Sequence, residues 1–123
     1  MRWLVDGMNV VGSRPDGWWR DRRAAMRALI ERLEAFASAT GDEVAVVFDG
    51  RPFELDGGGL VEVGFALGGR NAADHAIAEW VESDRDGASI TVVTSDAELV
   101  ARVTAAGAQV VPSGSFRRRL DAA

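Results

Sequence analysis

Residues 1–12 read MRWLVDGMNVVG, and this stretch decides the fold. Residues 3–5 form a short apolar run, which is typical of a strand buried on both faces. The run ends at Asp6 and Gly7, a turn signal, so that a carboxylate directly follows a buried strand. A carboxylate in such a place is poorly solvated and needs a partner, a proton or a metal ion. Because open α/β sheets bind ligands at the carboxyl ends of their strands, we expect Asp6 to mark a functional site.

Strands and helices alternate along the rest of the chain. This alternation predicts a three-layer α/β fold, with a central, mostly parallel sheet and helices on both faces. Glycines at residues 57–59 predict a flexible loop, and the imperfect alternation of residues 60–67 favours an edge strand. The predicted strands are 3–5, 43–48, 60–67, 90–93 and 109–111, and the predicted helices are 18–39, 71–82 with Asn71 as N-cap, 97–106 and a last turn around Phe116 and Leu120.

The overall composition indicates one folded domain over residues 1–123. Hydrophobic residues make up 47% of the chain, a content that argues against disorder. The apolar runs are too short to span a membrane, and the N-terminus lacks the pattern of a signal peptide. We therefore expect a cytoplasmic protein without a membrane partner.

The residue types that the chain lacks exclude several kinds of chemistry. Without cysteine it can form neither a zinc–thiolate site nor a cysteine nucleophile. All 14 cationic side chains are arginines, which excludes a P-loop lysine and a Schiff-base lysine. His75 is the only histidine, so a pair of histidines cannot serve as general acid and base.

Charge is distributed unevenly over the sequence. The net charge of −5 argues against nucleic-acid binding. Yet residues 14–32 hold six arginines and three acids, whereas residues 42–86 hold three arginines and eleven acids. Local basic patches can bind phosphate on an acidic protein, and ordinary solvated faces are the alternative.

Three acidic residues follow the ends of predicted strands, and a fourth lies at the start of a predicted helix. Right-handed crossovers place Asp6, Asp49 and Asp96 at one edge of the sheet, and the helix that carries Asp74 begins near that edge. Four carboxylates in one pocket repel each other unless a cation lies among them, and oxygen ligands suit Mg²⁺ or Mn²⁺. Such a site favours phosphodiester hydrolysis by a metal-activated water.

Each of these acids also has a purely structural interpretation. Asp6 and Asp49 precede glycines and could simply end their strands in turns. Asp74 would occupy the first turn of a helix, where an acid interacts favourably with the helix dipole. Asp96 could cap the helix that follows it.

Several side chains near the acids have two interpretations as well. Arg51 and Arg70 flank the acids and could hold phosphate bidentately, or they could pair with a nearby carboxylate. Trp18 and Trp19 could pack the start of a helix or stack on bases. The arginines at 117–119 could form a solvated tail or grip phosphate.

Five motifs, taken together, resemble those of a known family. They are residues 4–12 (LVDGMNVVG), 46–50 (VVFDG), 71–77 (NAADHAI), 92–96 (VVTSD) and 107–111 (GAQVV). Their order and spacing resemble the NYN-domain nucleases, a PIN-like group, and are most similar to the YacP-like branch.

The resemblance implies a metal-dependent ribonuclease, with Mg²⁺ or Mn²⁺ as cofactor and RNA as substrate. Asp6, Asp74 and Asp96 would be metal ligands and catalytic residues, and Asp49 would be a further acid of the metal site, perhaps acting through water. Asn9 would position a ligand or phosphate and take part in catalysis.

On the substrate side, the resemblance implies that Ser95 orients Asp96 and that Asn9 and Ser95 bind substrate. Arg51 and Arg70 are further candidate substrate-binding residues because of their positions beside the acids. A second copy of the chain, a ribosome or another RNA-processing complex are further candidate partners. Two alternative functions stay open: a catalytically inactive module that binds RNA or protein, and a small-molecule phosphohydrolase.

Overall fold

A computed structural model describes residues 1–54 and 59–122, so most of the predicted glycine loop lies outside the described residues. Short 3-10 turns occur at Trp18–Arg20 and Gly87–Ser89. The strands and helices are, in chain order, β1 (Arg2–Asp6), α1 (Gly7–Val11), α2 (Arg22–Thr40), β2 (Glu43–Asp49), β3 (Val61–Ala66), α3 (Ala72–Ser83), β4 (Ile90–Val93), α4 (Ala97–Ala105), β5 (Gln109–Val111) and α5 (Ser113–Ala122).

The five strands form one parallel sheet in the order β3-β2-β1-β4-β5. The predicted α/β fold is confirmed, and β3 is an edge strand as its pattern indicated. Strands β2 and β3 follow β1 on one side of the sheet, and strands β4 and β5 lie on its other side. The strand order therefore reverses between β1 and β4. The carboxyl ends of these two strands border the crevice where open sheets bind ligands.

Two hydrophobic layers cover the two faces of the sheet. Alternate residues of β1 point to opposite faces, so that Trp3 and Val5 enter one layer and Leu4 enters the other. In the first layer, the ring centroids of Trp3 lie 5.7 Å from Phe36 of α2 and 5.1 Å from Phe116 of α5. Helices α3 and α4 pack in the second layer. None of the helices within the described ranges is both long and apolar enough to cross a membrane.

Two helix boundaries differ from those expected. The segment after Asp6 was expected to be a turn, but it forms the short helix α1. The long helix was expected to begin at Trp18, but α2 begins at Arg22, because the Asp21 side chain caps it by accepting a hydrogen bond from the amide of Ala24 at 3.0 Å. The residues between form a loop and a separate 3-10 turn.

Gly7 allows α1 to begin directly after β1. A Cβ atom at residue 7 would lie 2.4 Å from Cδ1 of Phe48, whose side chain is fully buried in the first layer. A residue with a side chain would therefore force the ring or the backbone to move. The backbone therefore passes close to the Phe48 ring at the residue that follows Asp6.

We expect Gly7→Ala to lower the free energy of unfolding by about 1–3 kcal/mol, since the added methyl group would overpack a rigid core. Thermal or urea unfolding measures this change. Gly64→Ala in β3 is the matched control, because its Cβ would meet no atom closer than 3.9 Å. Equal stability of the two variants would contradict the close fit described for Gly7.

Candidate active site

The candidate site lies at the carboxyl edge of the sheet. Parallel strands β1 and β2 end there in Asp6 and Asp49, and Asp96 follows β4 at the same edge. Asp74 lies in the first turn of α3, which begins beside the end of β2. The acids that were expected to share one edge of the sheet do so.

Asp6 is the buried member of this group, with 4% of its surface exposed. Its Oδ2 accepts a hydrogen bond of 2.8 Å from the Thr94 hydroxyl, which itself accepts one of 3.1 Å from the amide of Asp96. Burial, together with the negative charges of Asp74, Asp49 and Asp96, raises the pKa of Asp6 to about 7, although the Thr94 hydrogen bond opposes the shift. Asp6 is thus half protonated near neutral pH without a cation beside it.

Asp74 is half-buried and interacts electrostatically with the same group. Burial raises its pKa, and the negative charges of Asp96 and Asp49 raise it further. Asp74 therefore interacts electrostatically with Asp96 and Asp49, and it also lies in the first turn of α3, as the helix-dipole interpretation requires.

Asp49 and Asp96 both cap helices. Oδ1 of Asp49 accepts a hydrogen bond of 2.9 Å from the amide of Ala73, which fastens α3 to the end of β2. Asn71 occupies the expected N-cap position with a φ of 71°, but its side chain makes no capping hydrogen bond. Oδ1 of Asp96 accepts one of 2.9 Å from the amide of Leu99 in α4, as the capping interpretation predicted.

The four acids lack a basic partner: the ion pairs between described residues include none of them. Their donor atoms are all carboxylate oxygens, which suit a hard cation such as Mg²⁺ or Mn²⁺. Over residues 1–54 and 59–122, no three acidic or histidine side chains are grouped closely enough to enclose a metal ion by themselves. The donor chemistry fits a divalent cation whose shell is completed by water or phosphate oxygens, as is usual for Mg²⁺.

Asn9 and Ser95 are held by hydrogen bonds next to the acids. Oδ1 of Asn9 accepts from the amide of Ser95 at 2.9 Å and from the hydroxyl of Ser113 at 2.6 Å. The Ser95 hydroxyl accepts from the amide of Ser113 at 3.0 Å. These bonds join α1, the β4–α4 connection and α5. The hydroxyl that contacts the Asp96 amide is that of Thr94 rather than that of Ser95, and a contact of Asn9 or Ser95 with substrate stays a prediction.

An open cavity of about 820 Å³ adjoins two of the acids, Asp49 and Asp74, and is also lined by Arg70. A second cavity, of about 210 Å³, is lined by Asp49 and Arg51. The two arginines that were expected to flank the acids therefore face the space beside Asp49. No ion pair within the described residues involves either of them.

Arg117 is part of the scaffold rather than of a free basic tail. Its guanidinium donates to the backbone carbonyls of Val10 and Val11 at 3.2 and 3.0 Å and forms an ion pair of 2.7 Å with Asp16. The arginine thereby joins α5 to the end of α1 and to the loop that follows it.

Comparisons with known proteins bear on the whole chain. The model of the YacP-like NYN domain family matches residues 3–123. The crystal structure of Rae1 (YacP) from Bacillus subtilis matches with a TM-score of 0.78 and 27% identity, over 99% of this chain and 74% of that chain. A mutant of the same protein gives the same TM-score and 26% identity, over 99% and 75% of the two chains. No curated protein matches the sequence. The resemblance seen in the motifs is confirmed.

The raised pKa of Asp6 makes stability depend on pH when divalent cations are chelated. Folded Asp6 retains its proton up to about pH 7, whereas an unfolded aspartate loses it near pH 4. Its contribution to stability is therefore complete below about pH 4 and is lost as the pH rises to about 7. We expect Asp6→Asn to melt above the wild type at pH 8, and by much less at pH 5. Melting curves with chelator at both pH values test this, and a wild type that melts higher than Asp6→Asn at pH 8 would contradict it.

Sequence reasoning missed Thr94, whose buried hydroxyl joins Asp6 to Asp96. We expect Thr94→Val to lower the free energy of unfolding by about 1–3 kcal/mol, because both partners would be left unpaired in a buried place. Thr94→Ser keeps the hydroxyl and loses only a methyl group, at a cost of about 0.8 kcal/mol. Chemical unfolding of the two variants compares these effects. If Thr94→Ser is destabilised as much as Thr94→Val, the packing of the methyl group rather than the hydrogen bonds of the hydroxyl accounts for the contribution of Thr94 to stability.

Proposed function

Because the chain belongs to the YacP-like NYN domain family, we propose that it is a metal-dependent ribonuclease that hydrolyses phosphodiester bonds of RNA at the carboxyl edge of its sheet. One observation carries this proposal: four carboxylates lie at that edge, two of them with raised pKa values, and no arginine among the described residues pairs with any of them. A protein that did not bind a cation there would gain stability by losing some of this charge.

Asp6, Asp74 and Asp96 are the residues that we propose as ligands of Mg²⁺ or Mn²⁺, with Asp49 contributing through water. Each of Asp6, Asp49 and Asp96 has one carboxylate oxygen engaged by a protein donor, and no side-chain hydrogen bond within the described residues engages the second oxygen. A bound divalent cation would neutralise charge on the phosphate and make a bound water more acidic.

The role of the scaffold in this proposal is to hold the acids in place before substrate arrives. Thr94 fixes Asp6, and the helix-capping hydrogen bonds fix Asp49 and Asp96. Groups that are held in position need no reorganisation during the reaction, which lowers its barrier. Arg51 and Arg70 face the cavities beside Asp49, where they can bind phosphates next to the one that is cleaved.

The proposed reaction uses water rather than the ribose 2′-hydroxyl as nucleophile. A mechanism that uses the 2′-hydroxyl needs a general base for it and a general acid for the leaving oxygen, often two histidines, and this chain has one histidine. Water attacks the phosphorus and gives a proton to a carboxylate, the bond from phosphorus to O3′ breaks, and the leaving O3′ takes up a proton from a neighbouring water. The products are a 5′-phosphate and a 3′-hydroxyl.

We expect the purified protein to cut a short single-stranded RNA in the presence of Mn²⁺ and to leave it intact with chelator. Mass analysis of the fragments should show 5′-phosphate and 3′-hydroxyl ends. Asp6→Asn should lower the rate by about 100-fold or more, since it removes a proposed ligand from the reacting centre.

The matched control is Asp42→Asn, which removes an acid at the opposite edge of the sheet and should cleave normally. Fragments ending in 2′,3′-cyclic phosphate that disappear in Asp6→Asn would overturn the proposed nucleophile. RNA that is bound but never cut would favour a binding module, and cleavage of a phosphate monoester alone would favour a small-molecule phosphohydrolase.

A further inference from the structure

The two neighbouring tryptophans in the 3-10 turn before α2 occupy different environments. Trp18 is half-buried and packs against the first hydrophobic layer, whereas 53% of the surface of Trp19 is exposed. Their rings meet edge to face, with centroids 6.0 Å apart. Trp18 thus packs the start of the helix, as one interpretation expected, and supports Trp19 from the side.

Trp19 lies on the wall of the large cavity that contains Asp49 and Asp74. Leu67, across the cavity, is 66% exposed. Of the four exposed large apolar side chains in the described ranges, these two line this one space. Exposed apolar groups that gather at a concave surface indicate a binding site.

Two exposed guanidinium groups line the same cavity, those of Arg22 and Arg70. The lining of the cavity therefore combines carboxylates, guanidinium groups and an exposed aromatic side chain. A phosphate chain whose bases are exposed matches this combination: arginines pair with phosphates, and a tryptophan offers a face to a base.

We propose that Trp19 is the base-stacking residue of this cavity, with one unpaired base of the RNA against its ring and neighbouring phosphates paired with Arg22 and Arg70. The inference rests on the proposed function and adds to it the residues that distinguish unpaired from paired RNA. In a duplex the bases are stacked on one another and offer no free face to Trp19, so the groove selects unpaired RNA. It also accounts for RNA binding by a chain of net charge −5, because the positive charge is local.

The test measures binding without cleavage, by fluorescence anisotropy of a labelled oligouridylate in chelator. Trp19→Ala should weaken binding by about 5- to 150-fold, the range found when one base loses its aromatic partner. Trp19→Phe should restore most of the affinity, which a merely structural role would not predict. Leu60→Ala, which removes another exposed apolar side chain at the opposite edge of the sheet, should bind as the wild type does.

Charge is tested separately, through the salt dependence of the same binding. Arg22→Ala should weaken binding and reduce the slope of log Kd against log salt concentration by about 0.7, the value for one phosphate contact on a single strand. Arg85→Ala removes an exposed arginine beyond the far end of α3 and should leave the slope unchanged.

The outcomes separate this inference from the proposed reaction. Three results would contradict the proposed RNA-binding cavity. They are an unchanged affinity in Trp19→Ala, equal binding of duplex and single-stranded RNA, and no RNA binding by the wild type. If Trp19→Ala cleaves RNA with an unchanged KM, the proposed role of Trp19 in RNA binding is wrong and the proposed ribonuclease reaction is unaffected. If binding depends on Trp19 but the protein never cuts RNA, the proposed RNA-binding cavity is supported and the proposed ribonuclease reaction is wrong.

Discussion

The burial of the Asp6 carboxylate at the end of the central strand is the constraint on which the site depends. A carboxylate at that place is stable only with a proton, a hydrogen-bond donor or a cation. The fold supplies one donor, the Thr94 hydroxyl, and three further acids instead of an arginine. The described residues do not offset the desolvation of Asp6 and the repulsion among the four carboxylates, and a bound divalent cation would offset both.

Among the described residues, acidic side chains are ion-paired at the amino edge of the sheet, whereas the four acids at the carboxyl edge are not, and pKa values shift in opposite directions at the two edges. At the amino edge, Asp42 pairs with the N-terminal ammonium group and Asp84 pairs with Arg2, which lowers the pKa of Asp84 to about 2. At the carboxyl edge, Asp6 and Asp74 have raised pKa values. A chain with 14 arginines could pair these acids as well, yet its arginines at this edge face the cavity beside them. This contrast supports the proposal that the carboxyl edge is the functional site.

Much of the fold could be predicted because local signals agree with the tertiary structure. Among the described residues, short apolar runs predicted four of the strands and imperfect alternation predicted β3. Gly41 and Gly107, both at positive φ, end helices where expected. Helix α1 was missed because five residues carry too little periodicity to predict a helix. The contacts of Thr94 and Asp49 could not be predicted, since they depend on which strands are neighbours and on where α3 begins. The sequence indicated which acids share an edge, but not how each is held.

The most direct test of the central claim is to locate a cation in crystals of this protein. Anomalous diffraction from crystals soaked in Mn²⁺ identifies the metal independently of any activity. The account predicts a manganese peak at the carboxyl edge, in direct contact with carboxylate oxygens of Asp6, Asp74 or Asp96. Manganese bound only elsewhere, or an empty carboxyl edge at a saturating concentration, would contradict it.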